Sequence, residues 1–245
     1  MAPEILAALA VLAAGAVHST TGFGFALVAT PVLVATHGPL VAVPTVTLLS
    51  LAVNLLTLAS ERRPLAVLRP ATDLLILGTL PGMAAGAVVL ARAPEDLLRL
   101  LVALSVLLAV AVHLRTRRRT VETPAGPASA LAAGIVSGVL TTSTSLNGPP
   151  LVLYLLRARA TAEQARDSLA AIFLATGLLG LATFAIAGTL DLAGALPLLV
   201  AAAALGQLLG RIGFARVAPY HEGLSLAVLA VSAAVALAAA GGSLL

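Results

Sequence analysis

The sequence predicts an all-α, polytopic helical membrane protein of about eight transmembrane helices, and three observations carry that prediction. No Asp, Glu, Lys or Arg occurs between Ile5 and Ser60, and uncharged runs recur to the C-terminus. Hydrophobic residues make up 60% of the 245 and charged residues only 10%, far from the composition of a water-soluble domain. The apolar runs are continuous rather than alternating, which excludes a β-barrel. A hydrocarbon core of about 30 Å takes roughly 20 residues of helix, so the first run alone has room for two crossings.

The spans follow from where charge, Gly and Pro interrupt these runs. Pro3–His37 comes first; no basic segment or cleavage site accompanies it, so it is expected to be a retained span and not a removable signal peptide. Leu40–Ala59 ends at the charged string Glu61-Arg62-Arg63. Leu68–Ala91 carries Gly82-x-x-x-Gly86, a spacing that lets a second helix approach closely. Glu95–Leu114 closes the first half, 1–114. The Arg-rich stretch 115–127 is the one hydrophilic segment of any length and separates that half from the second, 128–245. The second half holds Ala128–Leu156, Ala162–Ala187, Leu192–Phe214 with Gly206-x-x-x-Gly210, and Glu222–Ala240.

The halves repeat one another. Gly15 and Pro31 match Gly134 and Pro150 at an offset of 119, and Gly82/Gly86 match Gly206/Gly210 at 124, so a five-residue insertion reconciles them. Internal repeats characterise secondary transporters, with the substrate site near the midplane where the halves meet. Four crossings per half make the repeats parallel; one re-entrant span makes them inverted, and the residues alone leave both open.

The opening span of each half is broken. The first break reads His18-Ser19-Thr20-Thr21-Gly22-Phe23-Gly24-Phe25, and the second runs through Thr141-Thr142-Ser143-Thr144-Ser145 to Asn147-Gly148-Pro149-Pro150. Gly lowers helix propensity, Pro cannot donate to the preceding turn, and clustered hydroxyls compete for backbone hydrogen bonds. Unwound backbone at membrane depth is tolerated only inside protein or beside water, so both breaks predict a polar cavity. A half-helix starting after each break would aim free N–H groups into it, which suits an anion. The competing reading is close helix packing by small residues, and it is preferred for the GxxxG pairs.

The motifs GFGFALVATPVL, GVLTTSTSLNGPPLVLYLL and ARDSLAAIFLATG resemble the TauE/SafE family of sulfite exporters and related anion permeases. The resemblance spans essentially the whole chain. It implies a secondary transporter of a small oxyanion, sulfite or an organosulfonate or other sulfur-containing anion, and no enzymatic activity. The substrate site is then expected at Thr21, Gly22, Gly24, Thr142, Ser143, Thr144, Asn147 and Gly148. Arg166 and Arg211 would add attraction for the anion, with a charge cluster at Arg166–Asp167 or interfacial snorkelling of Arg211 as the competing accounts.

Other polar residues are read singly. His18 adjoins the first break and fits proton coupling, against a histidine merely hydrogen-bonded among small neighbours. Asn54 and Gln207 either line the cavity or bridge helices. No cofactor, metal centre or catalytic grouping is expected: the chain has no cysteine, no H-E-x-x-H and no G-K-[ST]. The Arg residues lie between spans and read as topology signals, not as a nucleic-acid surface. The expected partners are the small anion, the bilayer and a coupling proton or ion, and a homo-oligomer is compatible with the composition. Two alternatives from other classes are a membrane-embedded enzyme or assembly factor and a metal-cation permease of the same fold. The expected location is the bacterial inner membrane. Eight crossings would put both termini on one side with Arg62, Arg63, Arg69 and the cluster from Arg115 to Arg119; seven Arg there against six opposite decide little, and the cluster favours cytoplasmic termini.

Overall fold

The computed structural model describes residues 2–61, 63–116, 126–217 and 234. They form α1 (Ala2–Thr21), α2 (Phe25–His37), α3 (Pro39–Ala59), α4 (Ala71–Arg92), α5 (Glu95–Thr116), α6 (Pro127–Thr144), α7 (Gly148–Arg157), α8 (Ala162–Ala187) and α9 (Leu196–Val217). The chain is a polytopic helical membrane protein: four of these helices, α1, α3, α4 and α8, are long and apolar enough to cross a bilayer by length and composition. The span expected at Glu222–Ala240 and most of the Arg-rich stretch lie outside the described residues.

Local chemistry sets the boundaries. Thr161 caps α8 by accepting from Gln164 N at 3.1 Å while Gln164 Oε1 accepts from Thr161 N, a reciprocal capping box. Gly188, in the left-handed region at φ 69°, ends the same helix. Pro39 and Pro127 occupy the first turns of α3 and α6, where a missing N–H costs nothing. The seventh span starts later than expected, at Leu196 instead of Leu192, because residues 188–195 turn at Gly188 and Gly194.

Both opening spans break where the sequence indicates, but neither continues in the same direction. Ser137 Oγ donates to the carbonyl of Asn147 at 3.1 Å. Ten residues of continuous helix would hold those groups about 15 Å apart, so α7 folds back along α6. The α1–α2 pair does likewise. The Gly22 turn at the end of α1 lies with Thr57 and Leu58 at the end of α3, yet α2 must deliver the chain to Pro39 at the start of α3. Gly22 at φ 76° and Gly24 at φ 96° allow the reversal. Pro3–His37 and Ala128–Leu156 are therefore helical hairpins and not single crossings.

Neighbour contacts fix the remaining directions. α3 and α8 run antiparallel: Gly180 faces Thr47, Gly177 faces Leu51, and Asn54 Nδ2 donates to Ala170 O at 2.9 Å. α4 and α6 run parallel, with Gly78, Gly82 and Gly86 against Leu131, Ile135 and Val139. α1 and α9 also run parallel, with Leu12 and Ala16 against Gly206 and Gly210. At these two crossings a Cβ on the glycines would enter the facing helix backbone, which is why helix packing is the right account of the GxxxG pairs.

The contacts also revise the register. Leu12–Gly206 and Leu131–Gly78 are equivalent meetings, so Gly206 corresponds to Gly78, 128 residues away, and not to Gly82. The slip is one helical turn along a run of three glycines spaced by four.

The start of α1 and the loop at residues 60–70 lie on opposite faces of the helix layer. Ala7 shares a core with Leu199 early in α9, and Ala193 N just before that helix donates to Thr45 Oγ1 early in α3. Residues 60–70 follow the far end of α3. The expectation that the N-terminus shares a face with that loop is corrected accordingly, because the first hairpin adds a pass that a single span lacks.

A cavity between the two breaks

A cavity of about 70 Å³ lies at the middle of α3 and α8, bounded by both breaks. The first break contributes His18 from α1, then Phe23, Gly24 and the opening of α2. The second contributes Ser145, Leu146, Asn147, Gly148 and Pro149, with Thr141 from α6. The walls are Thr47, Ser50, Leu51 and Asn54 of α3, and Phe173, Thr176 and Gly177 of α8. By the same measure a single water takes about 10–15 Å³, so roughly five non-hydrogen atoms fit.

The two half-helices supply unequal donors. The first four N–H groups at a helix start, the cap's included, have no intrahelical acceptor, and in α2 these belong to Gly24, Phe25, Ala26 and Leu27, all lining the cavity. In α7 the corresponding positions are Asn147, Gly148, Pro149 and Pro150, and only Asn147 and Gly148 carry an N–H.

Side chains complete the lining. Asn147 Nδ2 donates to Thr141 Oγ1 at 3.1 Å and Thr176 Oγ1 at 3.2 Å, tying α7 to α6 and α8. Ser145 Oγ, at φ 59°, donates to Val43 O at 2.8 Å and meets Thr47 Oγ1 at 2.8 Å. Both nitrogens of His18 are buried without a partner, as are Ser50 Oγ and Asn54 Oδ1. No Asp, Glu, Lys or Arg lines the cavity.

Of the ten expected site residues, the structure brings Gly24, Asn147 and Gly148 together at the cavity. Gly22 opens instead onto a small crevice with Glu61, Arg166 and Asp167. Thr142, Ser143 and Thr144 stand apart from the lining. Their hydroxyls donate to Met83 O, Val139 O and Leu140 O respectively, contacts within and between helices. Thr21 ends α1, and its side chain lies outside what is described. Arg211 Nη2 donates to Leu56 O at 3.1 Å at an exposed position.

Arg166 belongs to a charge cluster, as the competing account had it. Three consecutive residues of α8 strap the 60–70 loop: Arg166 pairs with Glu61, Asp167 takes a fork from Arg63 at 2.8 and 3.0 Å, and Ser168 Oγ accepts from Leu68 N at 2.9 Å. Ala66 N adds a further donor to Asp167 at 2.7 Å. The hydrogen bond to Asp167 raises the Arg63 pKa, and Arg63 also reaches Glu163 at 2.7 Å.

Thr47, Ser50 and Thr176 line the cavity without having been singled out in the sequence, and Thr141 and Ser145 line it although named only as part of the second break. Thr47, Ser50, Leu51 and Asn54 sit at i, i+3, i+4 and i+7, a polar stripe on an otherwise apolar span. That spacing is the signal which identifies them. Among the described residues no group of His, Asp or Glu could hold a metal ion.

No curated protein and no solved structure matches the chain. A protein-family model does, over residues 7–239, and it describes sulfite exporters. With that match added to paired helix breaks around a membrane-embedded cavity, the chain belongs to the Sulfite exporter TauE/SafE family, a family of membrane transporters.

Proposed function

We propose that the protein is a secondary transporter of a small sulfur oxyanion, sulfite in the first instance, and that the anion is bound in the cavity between the two breaks. One observation carries this reading: the cavity meets the first turn of α2 and Gly148 of α7, yet holds no acidic side chain. Backbone and hydroxyl donors attract an anion without the buried ion pair that would hold it too tightly for release. Room for about five non-hydrogen atoms suits sulfite, sulfate or thiosulfate and is small for a longer organosulfonate. The absence of carboxylates from the lining disfavours the metal-cation reading. Flux into proteoliposomes from a panel of sulfite, sulfate, thiosulfate, sulfoacetate and nickel tests it. Uptake of nickel with none of the anions would reverse the assignment.

We read the two halves as inverted repeats. The hairpin at the start of each half makes the passes odd in number, and α3 and α8, which occupy equivalent places, run antiparallel. We further propose that the face carrying the 60–70 loop is cytoplasmic. Arg63, Arg69, Arg157, Arg159, Arg166 and Arg211 lie toward that face, against Arg92 and Arg99 toward the other. Such a bias is the usual cytoplasmic signature. Labelling of single cysteines at Ser60 and Ala93 with an impermeant thiol reagent on intact cells should mark Ala93 alone.

A further inference from the structure

His18 is 4% exposed, and neither ring nitrogen has a protein partner. It faces the cavity beside the first turn of α2, so the account of a histidine satisfied by its neighbours does not hold here. Asn54, 1% exposed on the opposite wall, presents Oδ1 with nothing to accept from. Its amide cannot be reversed, because Nδ2 is committed to the carbonyl of Ala170. An anion that only accepts hydrogen bonds satisfies the N–H donors but leaves Asn54 Oδ1 and one imidazole nitrogen orphaned. A ligand that brings one proton with it gives the second imidazole nitrogen its partner.

The charges around the ring point the same way. α2 and α3 present no ionisable side chain near it, since His37 lies at the remote end of α2. α8 contributes Arg166, paired with Glu61, and Asp167, paired with Arg63; α9 contributes Arg211. Among the described residues no carboxylate is therefore free to balance a charged imidazole, and no cation lines the cavity to balance a bare dianion. Each charge buried alone is costly, whereas the two together offset one another.

We propose that His18 is the proton site of the carrier, so that the protein binds and moves a sulfur oxyanion together with one proton. The inference rests on the anion-transport reading above. For sulfite the balance is one dianion and one proton entering together, the proton shared between a ring nitrogen and a sulfite oxygen. Both leave on release.

The test uses full-length protein in vesicles with the membrane potential clamped at zero. Both compartments are kept alkaline enough that sulfite is mostly dianion, and they differ by one pH unit. Radiolabelled sulfite is followed to its steady-state ratio, with protein-free vesicles subtracted. Coupled movement gives about tenfold accumulation on the alkaline side, the full linkage of one proton. In His18→Gln the ratio falls toward one, however slow the flux. A wild-type ratio of one overturns proton coupling and leaves anion transport standing; no sulfite exchange without a gradient overturns transport itself. Tenfold accumulation in His18→Gln removes the proton from His18. Thermal stabilisation by sulfite in detergent covers a variant too slow to follow. The wild-type affinity should drop about tenfold per pH unit and the variant's should not; equal dependence in both overturns the assignment.

Discussion

Replacing Gly148 by Val separates a substrate site from a packing seam. A Cβ built on Gly148 meets one heavy atom within 4 Å, Phe173 Cζ at 3.9 Å, so the backbone accepts a side chain without strain. The residue is the first of α7, where a β-branched side chain costs only a few tenths of a kcal/mol against the helix. The three added carbons point into a cavity of about 70 Å³ with room for roughly five non-hydrogen atoms. Sulfite needs four of those places, so at least two atoms must overlap. Overpacking costs about 1–3 kcal/mol, and two such overlaps cost about 2–6 kcal/mol. At about 1.4 kcal/mol per factor of ten, binding weakens at least about 30-fold. Sulfite flux into proteoliposomes should fall to the protein-free background while the detergent unfolding midpoint stays within about 0.5 kcal/mol of wild type. A well-folded Gly148→Val protein that transports at the normal rate would refute the cavity as the anion's path.

Four further expectations follow from the same contacts. Gly82→Ala and Gly206→Ala push a Cβ into backbone of the facing helix and should each destabilise by about 1–3 kcal/mol in denaturant unfolding, whereas Gly194→Ala, with open space around it, should be neutral. Asn147→Ala removes two hydrogen bonds at about 0.5–1.5 kcal/mol each and should lower sulfite transport roughly tenfold or more. Ser143→Ala should transport normally, since its hydroxyl serves only Val139 O. Asp167→Asn keeps the shape of the strap but weakens its fork to half-exposed Arg63, so protease cleavage and hydrogen exchange at residues 60–70 should rise at a stability loss of about 1–2 kcal/mol.

The sequence carries helix existence well and helix direction poorly. Ala162–Ala187 matches α8 to the residue because a capping box and a left-handed glycine write both ends in local chemistry. The breaks were legible for a related reason: Gly22 and Gly24 or Pro149 and Pro150 stand close together beside clustered hydroxyls, whereas the isolated Pro31, Pro44 and Pro81 are carried inside helices. Whether the chain then continues or reverses depends on the neighbours it meets, and nothing in a run of Gly and Thr encodes them. That ambiguity propagated. Reading each hairpin as one crossing set the first half's start on the wrong face and divided the Arg residues almost evenly. The hydroxyls of the second break were hard to read for another reason. Hydroxyls near a break invite a ligand role, but a helical Thr or Ser can bond its own i−4 carbonyl, as Ser143 and Thr144 do. The polar stripe at Thr47, Ser50 and Asn54 is the better guide to the cavity lining: Thr47 also bonds its own i−4 carbonyl, but Ser50 Oγ and Asn54 Oδ1 have no such outlet.

In the carrier proposed above, the two prolines in the first turn of α7 make its two half-helices unequal. The α2 side of the cavity offers four backbone donors and the α7 side two. In the cycle proposed above, an anion bound there is held more strongly on the α2 side, so its arrival and departure are unequal in rate. Unequal rates cannot by themselves pump, since detailed balance returns every passive flux to equilibrium. What the asymmetry sets is which half of the cycle is slow, and therefore which direction a driving gradient accelerates most.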